Sequence, residues 1–265
     1  MENKETLDTQ LFNRYAPMIR TLTSAELNGN SSLKSKFLLA REGSIEICYA
    51  PVEYINSKAR VVIVGITPGF TQMVNFIKEA HRLLNNGSDV QETMSAIKSA
   101  GSFSGNMRSD LVAMLDSIGV NRWLAISSCN ALFNTHSHLA HMTSILRNPV
   151  FVNGDNYKGT PDILRTPILK AQLMSGFFQD ASLLPSAIFV PLGDVVVKAF
   201  GYLIDQGIVK GSQVLVGLPH PSPANRERIH YFLGKKPRHL LSKKTNADKI
   251  DQARETIQRQ VNVLP

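Results

Sequence analysis

The chain has 265 residues, 43% of them hydrophobic, enough to bury a full α/β core and too few for two complete domains, so a single domain over residues 1–265 is expected. Its apolar runs, such as Ala187-Ile188-Phe189-Val190-Pro191-Leu192, fall short of the roughly 18 residues a spanning helix needs, and Met1-Glu2-Asn3-Lys4-Glu5 is polar and acidic, which points to a soluble, cytoplasmic protein with no membrane partner. Two cysteines, Cys48 and Cys129, exclude a cysteine-ligated iron–sulfur cluster or a disulfide framework and leave only a single bridge open, while a formal charge of +8 suits a polyanionic partner.

Residues 1–43 carry helix-like apolar spacing at Leu11, Tyr15, Met18, Ile19 and Leu22. A first strand is expected over Ser44–Tyr49. Arg60–Val64 is a continuous β-branched run, the form a strand takes when a parallel sheet covers both its faces. Residues 71–100 read as two helices broken at Asn85-Asn86-Gly87-Ser88, with Ser88 or Asp89 as a cap, and are expected to form a helical insertion or lid. After Ser102-Phe103-Ser104-Gly105-Asn106, the spacing of Met107, Leu111, Met114, Leu115 and Ile118 predicts a helix stopped by Gly119. A strand over Trp123–Ser127 then leads to Asn130, followed by an irregular stretch to Pro161. Ile163–Leu184 is helical in pattern but interrupted by Pro167. Strands over Ser186–Val190 and Gln213–Gly217 flank a helix over Asp194–Ile204, and helices follow around Arg226–Phe232 and Asp248–Gln260. This alternation predicts a three-layer α/β/α fold with a central, mostly parallel sheet.

Two turns stand where strands stop: Gly65-Ile66-Thr67-Pro68-Gly69 after Arg60–Val64, and His220-Pro221-Ser222-Pro223 after Gln213–Gly217. Rigid proline and permissive glycine hold each backbone in a set shape, and in an open parallel sheet that edge is where ligands bind. Either turn alone is a common way to end a strand; the pair is more specific. On the expected topology Thr67, Asn130 and His220 all fall at the C-terminal ends of strands. The positive charge is concentrated directly after the second turn, in Arg226, Arg228, Lys235, Lys236, Arg238, Lys243 and Lys244, either as a solvated face or as a phosphate-binding one.

These residues resemble the uracil-DNA glycosylase superfamily. Gly65–Gly69 is similar to the Gly-x-x-Pro-Gly motif of its mismatch-specific and single-strand-selective branches, and His220-Pro-Ser-Pro to its second motif. Ser127-Ser128-Cys129-Asn130 stands between them in the right order, and strand–helix order agrees from about residue 44 to residue 235. The resemblance implies a monofunctional DNA glycosylase of base-excision repair, with no cofactor, no metal and no obligate protein partner. It acts on a base flipped out of the DNA stack. In that role His220 stabilises the charge on the departing base and Asn130 reads its edge, with Asn134 as the alternative. Phe103, or Phe70, stacks on the base, and Gly65, Ile66, Pro68 and Gly69 line the base pocket. Ser222, Ala224, Asn225, Arg226, Lys235 and Lys236 face the DNA.

The chain departs from the family pattern where the attacking water is positioned. The third residue of the first motif is Asp or Asn in the well-characterised uracil-excising branches and is Thr67 here; a hydroxyl orients a water but is no general base at neutral pH. Ala224 stands where a bulky residue commonly wedges into the vacated stack, with Arg226 nearby as a substitute. A second reading follows: a protein of this fold that binds nucleic acid or a nucleobase without cutting. A small-molecule nucleotide enzyme is a third. His136, His138 and His141 cluster in one loop, but no Cys or carboxylate accompanies them at a ligand spacing, so metal is disfavoured, and ordinary surface histidines or contact with phosphate or with the extrahelical nucleotide stay open.

Overall fold

In a computed structural model, residues 9–29, 32–101, 103 and 105–265 are described; the expected polar opening, Met1–Glu5, lies outside them, as do Ser102 and Ser104. The chain packs as two compact units, each assembled from three stretches: Met1–Ser57, Ile66–Ser102 and Met142–Leu183 in the first, and Lys58–Gly65, Phe103–His141 and Leu184–Pro265 in the second.

The first unit is built on hairpins. Strand β1 (Leu38–Glu42) turns through Gly43, whose φ is +56°, into β2 (Ile45–Cys48), with Glu42 opposite Ile45. Glycine is the residue that takes this left-handed turn without steric penalty. Further along, Asn153-Gly154, with φ of +51° and +83°, closes a second hairpin by placing Val152 opposite Asp155. With strands β3 (Val61–Gly65) and β4 (Ala140–Ser144) lying between in sequence, this hairpin supplies β5 (Val150–Val152) and β6 (Asp155–Asn156) to a four-stranded antiparallel sheet ordered β1-β2-β5-β6. The larger sheet is thus antiparallel, which corrects the expectation of a central, mostly parallel sheet. The β1–β2 and β5–β6 pairs are joined by tight turns, which permit only antiparallel neighbours, and β5 lies antiparallel beside β2 to unite the two hairpins.

The Phe70–Asn85 helix buries Met73, Val74, Phe76, Ile77, Ala80 and Leu84, a three-and-four spacing that faces the core. They meet Phe12, Tyr15 and Ile19 of the Gln10–Arg20 helix, together with Phe37, Tyr49 and Phe151. Each large side chain removed from water in this way contributes about 1.5–3 kcal/mol. The expected break at 85–88 is present, and Asp89 caps the Val90–Gly101 helix through the Glu92 amide at 2.8 Å. Met94 and Ile97 of that helix join the same core. Pro167 opens a helix, Pro167–Ser175, at a first position where no amide partner is lost. Gly176 then breaks it before Phe177–Ser182, a stop absent from the sequence expectation.

In the second unit, β3 is buried at every residue and pairs in parallel with β7 (Ile188–Pro191), Val61 opposite Ile188 through Val64 opposite Pro191. These two belong to a three-stranded sheet ordered β4-β3-β7. The expected strand Gln213–Gly217 is reduced to one parallel bridge, Val214 with Phe189, and a bond from the Leu215 amide to the Phe189 carbonyl at 2.9 Å.

The expected strand over Trp123–Ser127 is absent. Val120–Trp123 is a helical turn started by Gly119, whose φ is +89°, and Ala125 is left-handed at +56°. The Trp123 indole N–H donates to the Pro265 carbonyl at 2.9 Å and the Arg60 guanidinium lies 4.8 Å over its ring, contacts that no local propensity encodes. The third strand is instead β4, in a stretch expected to be irregular. The helices Asn106–Ser117, Asp194–Asp205, Arg226–Phe232 and Ala247–Asn262 stand close to their expected positions. The chain is a mixed α/β protein with one parallel sheet. Among the described residues no helix is long and apolar enough to cross a membrane.

Candidate functional site

The division between the units falls inside the first motif. Gly65 ends β3 in the second unit; Ile66, Thr67, Pro68, Gly69 and Phe70 belong to the first. There the Ile66 carbonyl accepts the Leu146 amide at 2.9 Å. The Thr67 hydroxyl donates to the Asn148 carbonyl at 2.9 Å and accepts the Val150 amide at 3.1 Å. Its single proton is therefore committed to the backbone, which makes Thr67 a clamp on the 148–150 segment rather than a donor to water. Gly69 caps the Phe70–Asn85 helix against Asn156: the Phe70 amide donates to Asn156 Oδ1 at 2.8 Å, and a Cβ on Gly69 would meet Asn156 Nδ2 at 3.2 Å. Pro68 is buried, and the Phe70 ring lies edge-on to Phe151 with centroids 6.2 Å apart.

In the second unit the His220 turn is seated on the end of β7. Leu192 extends the β3–β7 ladder by donating to the Val64 carbonyl at 2.9 Å, and the next residue, Gly193, donates to the Leu218 carbonyl at 3.1 Å. Gly193 has φ of +85°, and a Cβ there would lie 3.2 Å from the His220 Cβ. Burial holds the His220 imidazole below its ordinary pKa of 6.5, so the ring is neutral at pH 7. Neutral imidazole keeps one N–H to donate.

A chain of side-chain bonds leads away from this turn. Asn225 Nδ2 donates to Ser222 Oγ at 3.2 Å, Arg228 Nη1 donates to Asn225 Oδ1 at 3.0 Å, and Arg228 Nη2 reaches the Lys244 carbonyl at 3.5 Å. Ala224, Arg226 and Lys235 are exposed. Lys236 is drawn into a 2.7 Å ion pair with Glu227.

Asn130 is not at a strand end. It lies in a 3-10 helix, Cys129–Phe133, held by Asp116, whose carboxylate accepts the Ser128 hydroxyl and the Cys129 amide, each at 2.7 Å. The cause is the missing Trp123–Ser127 strand. The Asn130 side chain is nevertheless exposed. Asn134 accepts the Thr135 amide and hydroxyl of its own loop. Phe103 is 7% exposed in the left-handed region, φ +44°; its carbonyl accepts Arg108 Nε at 2.8 Å, and the Arg108 guanidinium stands 4.6 Å over the Phe133 ring. Left-handed backbone at a bulky residue is costly and clusters at functional sites. His136 Nδ1 lies 3.0 Å from the Thr135 hydroxyl, His138 is exposed and His141 is buried. Among the described residues no group of three or more His, Cys, Asp or Glu is placed to hold a metal.

Sequence reasoning passed over a buried ionisable group in the first unit. Glu53 is 6% exposed, and burial raises its carboxyl to about 7. The Tyr49 hydroxyl draws that value partly back, without completing a hydrogen bond of full geometry to either carboxylate oxygen. Lys98 Nζ donates to the carbonyls on either side of Glu53, Val52 at 2.9 Å and Tyr54 at 2.7 Å, and its amine is lowered by burial to about 8. Arg147 forms an ion pair with the buried Asp180. Glu53, Lys98, Arg147 and Asp180 stand far apart along the chain, with no spacing that announces them.

No family model matches the chain, and no solved structure matches it. Over 221 residues the chain is 35% identical to the uncharacterized protein YoxB of Bacillus subtilis (strain 168), covering 82% of this chain and 86% of that protein.

Proposed function

The chain belongs to the family of the uncharacterized protein YoxB, and we propose that it is a DNA glycosylase of the uracil-DNA glycosylase superfamily, hydrolysing the N-glycosidic bond of uracil or a related altered base on a three-layer α/β/α fold. The observation that carries this reading is the neutral His220 seated by Gly193 on the end of a parallel strand. Two free, buried cysteines fit a reducing cytoplasm.

The chemistry follows from charge. As the bond to deoxyribose breaks, negative charge gathers on the carbonyl oxygen of the departing base. A preorganised neutral N–H aimed there stabilises that charge without itself giving up a proton, an effect of about 3 kcal/mol for one such donor. His220 supplies it. The exposed Asn130 amide, on a loop fixed by Asp116, reads the base edge; once a base covers it, an amide that matches uracil is left unpaired against cytosine. Phe103, held by Arg108, stacks on the base. With the Thr67 proton committed to Asn148, the reaction relies on leaving-group stabilisation and not on a strong base in the first motif.

The test is cleavage of end-labelled DNA carrying one uracil, revealed by alkali. The parent protein is expected to produce abasic sites and His220→Ala to lose about a hundredfold or more of that rate. Background cleavage of uracil, hypoxanthine, xanthine and modified pyrimidines, in both single and double strands, would refute the enzyme. The committed Thr67 hydroxyl favours one rival, a protein of this fold that binds without cutting. Retained DNA binding with no excision, and excision gained in Thr67→Asn, would select it.

A further inference from the structure

We infer that the 235–245 segment of the second unit is a docking surface for the phosphate backbone of DNA, shaped by Glu227 and tied by hydrogen bonds to the His220 turn. The inference takes from the proposed function only the premise of a DNA partner. Glu227 is the hub. One carboxylate oxygen accepts Lys236 Nζ at 2.7 Å and the Ser242 amide at 3.1 Å; the other accepts the Ser242 hydroxyl at 2.6 Å and the Thr245 hydroxyl. These donors, Lys236 first, hold its carboxyl well below the ordinary carboxylate range, so the hub stays ionised at every physiological pH.

This wiring sorts the basic residues into two groups. Lys236 is neutralised by Glu227, and Arg238 by Asp248 and Asp251. Arg226, Arg228, Lys235, Lys243 and Lys244 are exposed and, among the described residues, none has an acidic partner. Lys243 and Lys244 stand between two residues, Ser242 and Thr245, that both bond the same carboxylate, so the loop presenting them is pinned at each end. Arg228 joins the Lys244 carbonyl to Asn225, and Asn225 joins Ser222. Free cations on a fixed frame, rather than the total basic count, are what a phosphate backbone selects through counterion release.

The experiment is titration of a fluorescent 20-base-pair duplex without damaged bases at several salt concentrations, with heparin as a second polyanion and thermal unfolding as the check on folding. For the parent, the slope of log affinity against log salt counts phosphate contacts; Lys243→Ala with Lys244→Ala is expected to lower its magnitude by about 1.8, two contacts on duplex DNA. Arg238→Ala is expected to leave the slope unchanged. Glu227→Gln removes a negative charge, which by charge counting alone tightens binding; as the hub of the loop it is expected to weaken binding instead. Equal slopes in the double variant and the parent, equal losses in the double variant and Arg238→Ala, tighter binding by Glu227→Gln, or parent binding to heparin but not DNA would each overturn the inference. Uracil excision with an unaltered slope would sink the loop and leave the glycosylase standing; slope loss without excision would do the reverse.

Discussion

Gly193 and His220 are in direct packing contact: in place of the Gly193 hydrogen, a methyl would lie 3.2 Å from the His220 Cβ, on a backbone whose φ is +85°. The candidate catalytic imidazole is thus backed by a residue that only glycine fills without strain. Gly193→Ala is expected to cost about 1–2 kcal/mol in stability from the backbone alone and to reduce uracil excision further than that loss explains. Urea unfolding beside the alkali-cleavage assay measures both, and unfolding unchanged with full excision would contradict the packing argument.

Thr67 bridges two backbone groups, so its removal leaves the Asn148 carbonyl and the Val150 amide without their partner. Thr67→Val, close in shape, should destabilise by about 1–3 kcal/mol, whereas Thr67→Ser should retain most of the stability and the excision rate. If serine fails as badly as valine in excision while folding normally, the methyl group and not the clamp is what matters there.

Glu53 gives a pH dependence of known sign. Its carboxyl is raised from 4.5 to about 7, so between those values the folded protein holds a proton that the unfolded chain has lost, and stability falls as pH rises through that window. Glu53→Gln removes this loss. The stability of the variant relative to the parent should therefore climb between pH 4.5 and 7 and level off above it, in urea midpoints taken at half-unit steps. A flat difference would show that the fold does not raise the Glu53 carboxyl.

On the proposed reading, His220 sets the acid limb of excision. Because burial lowers its pKa from 6.5, the neutral ring is lost only in more acid solution, and the midpoint of the acid limb of excision by the parent should lie below pH 6.5. A rate that halves by pH 6.5 would mean a protonated ring is being formed too early for this role.

Asp116 holds the Asn130 loop by two 2.7 Å bonds. Asp116→Ala is expected to cost about 2–4 kcal/mol, since bonds to an ionised acceptor carry about 1.5–3 kcal/mol each and do not fully add. Amide hydrogen exchange should rise at Cys129 and Asn130; unchanged protection would show that the turn holds itself.

Local chemistry alone determined a good deal of this protein. The unbroken β-branched run of β3, the helix breaks at Gly119 and residues 85–88, and proline at the head of Pro167–Ser175 act over a few residues, where steric preference decides the outcome, and each stands in the structure where the sequence places it. The two motifs and the basic stretch were likewise legible as residue types. Tertiary structure decided the rest. Ala140-His141-Met142-Thr143-Ser144 has no strong strand propensity and becomes β4 by pairing beside β3, while Leu124-Ala125-Ile126, apolar enough for a strand, is held in a turn by contacts of the neighbouring Trp123 indole with Arg60 and Pro265. Whether a charge or hydroxyl is free depends on which partner the fold brings within about 3 Å. That distance, which no spacing along the chain encodes, commits Thr67 to Asn148 and Lys236 to Glu227 while leaving Lys243 and Lys244 exposed.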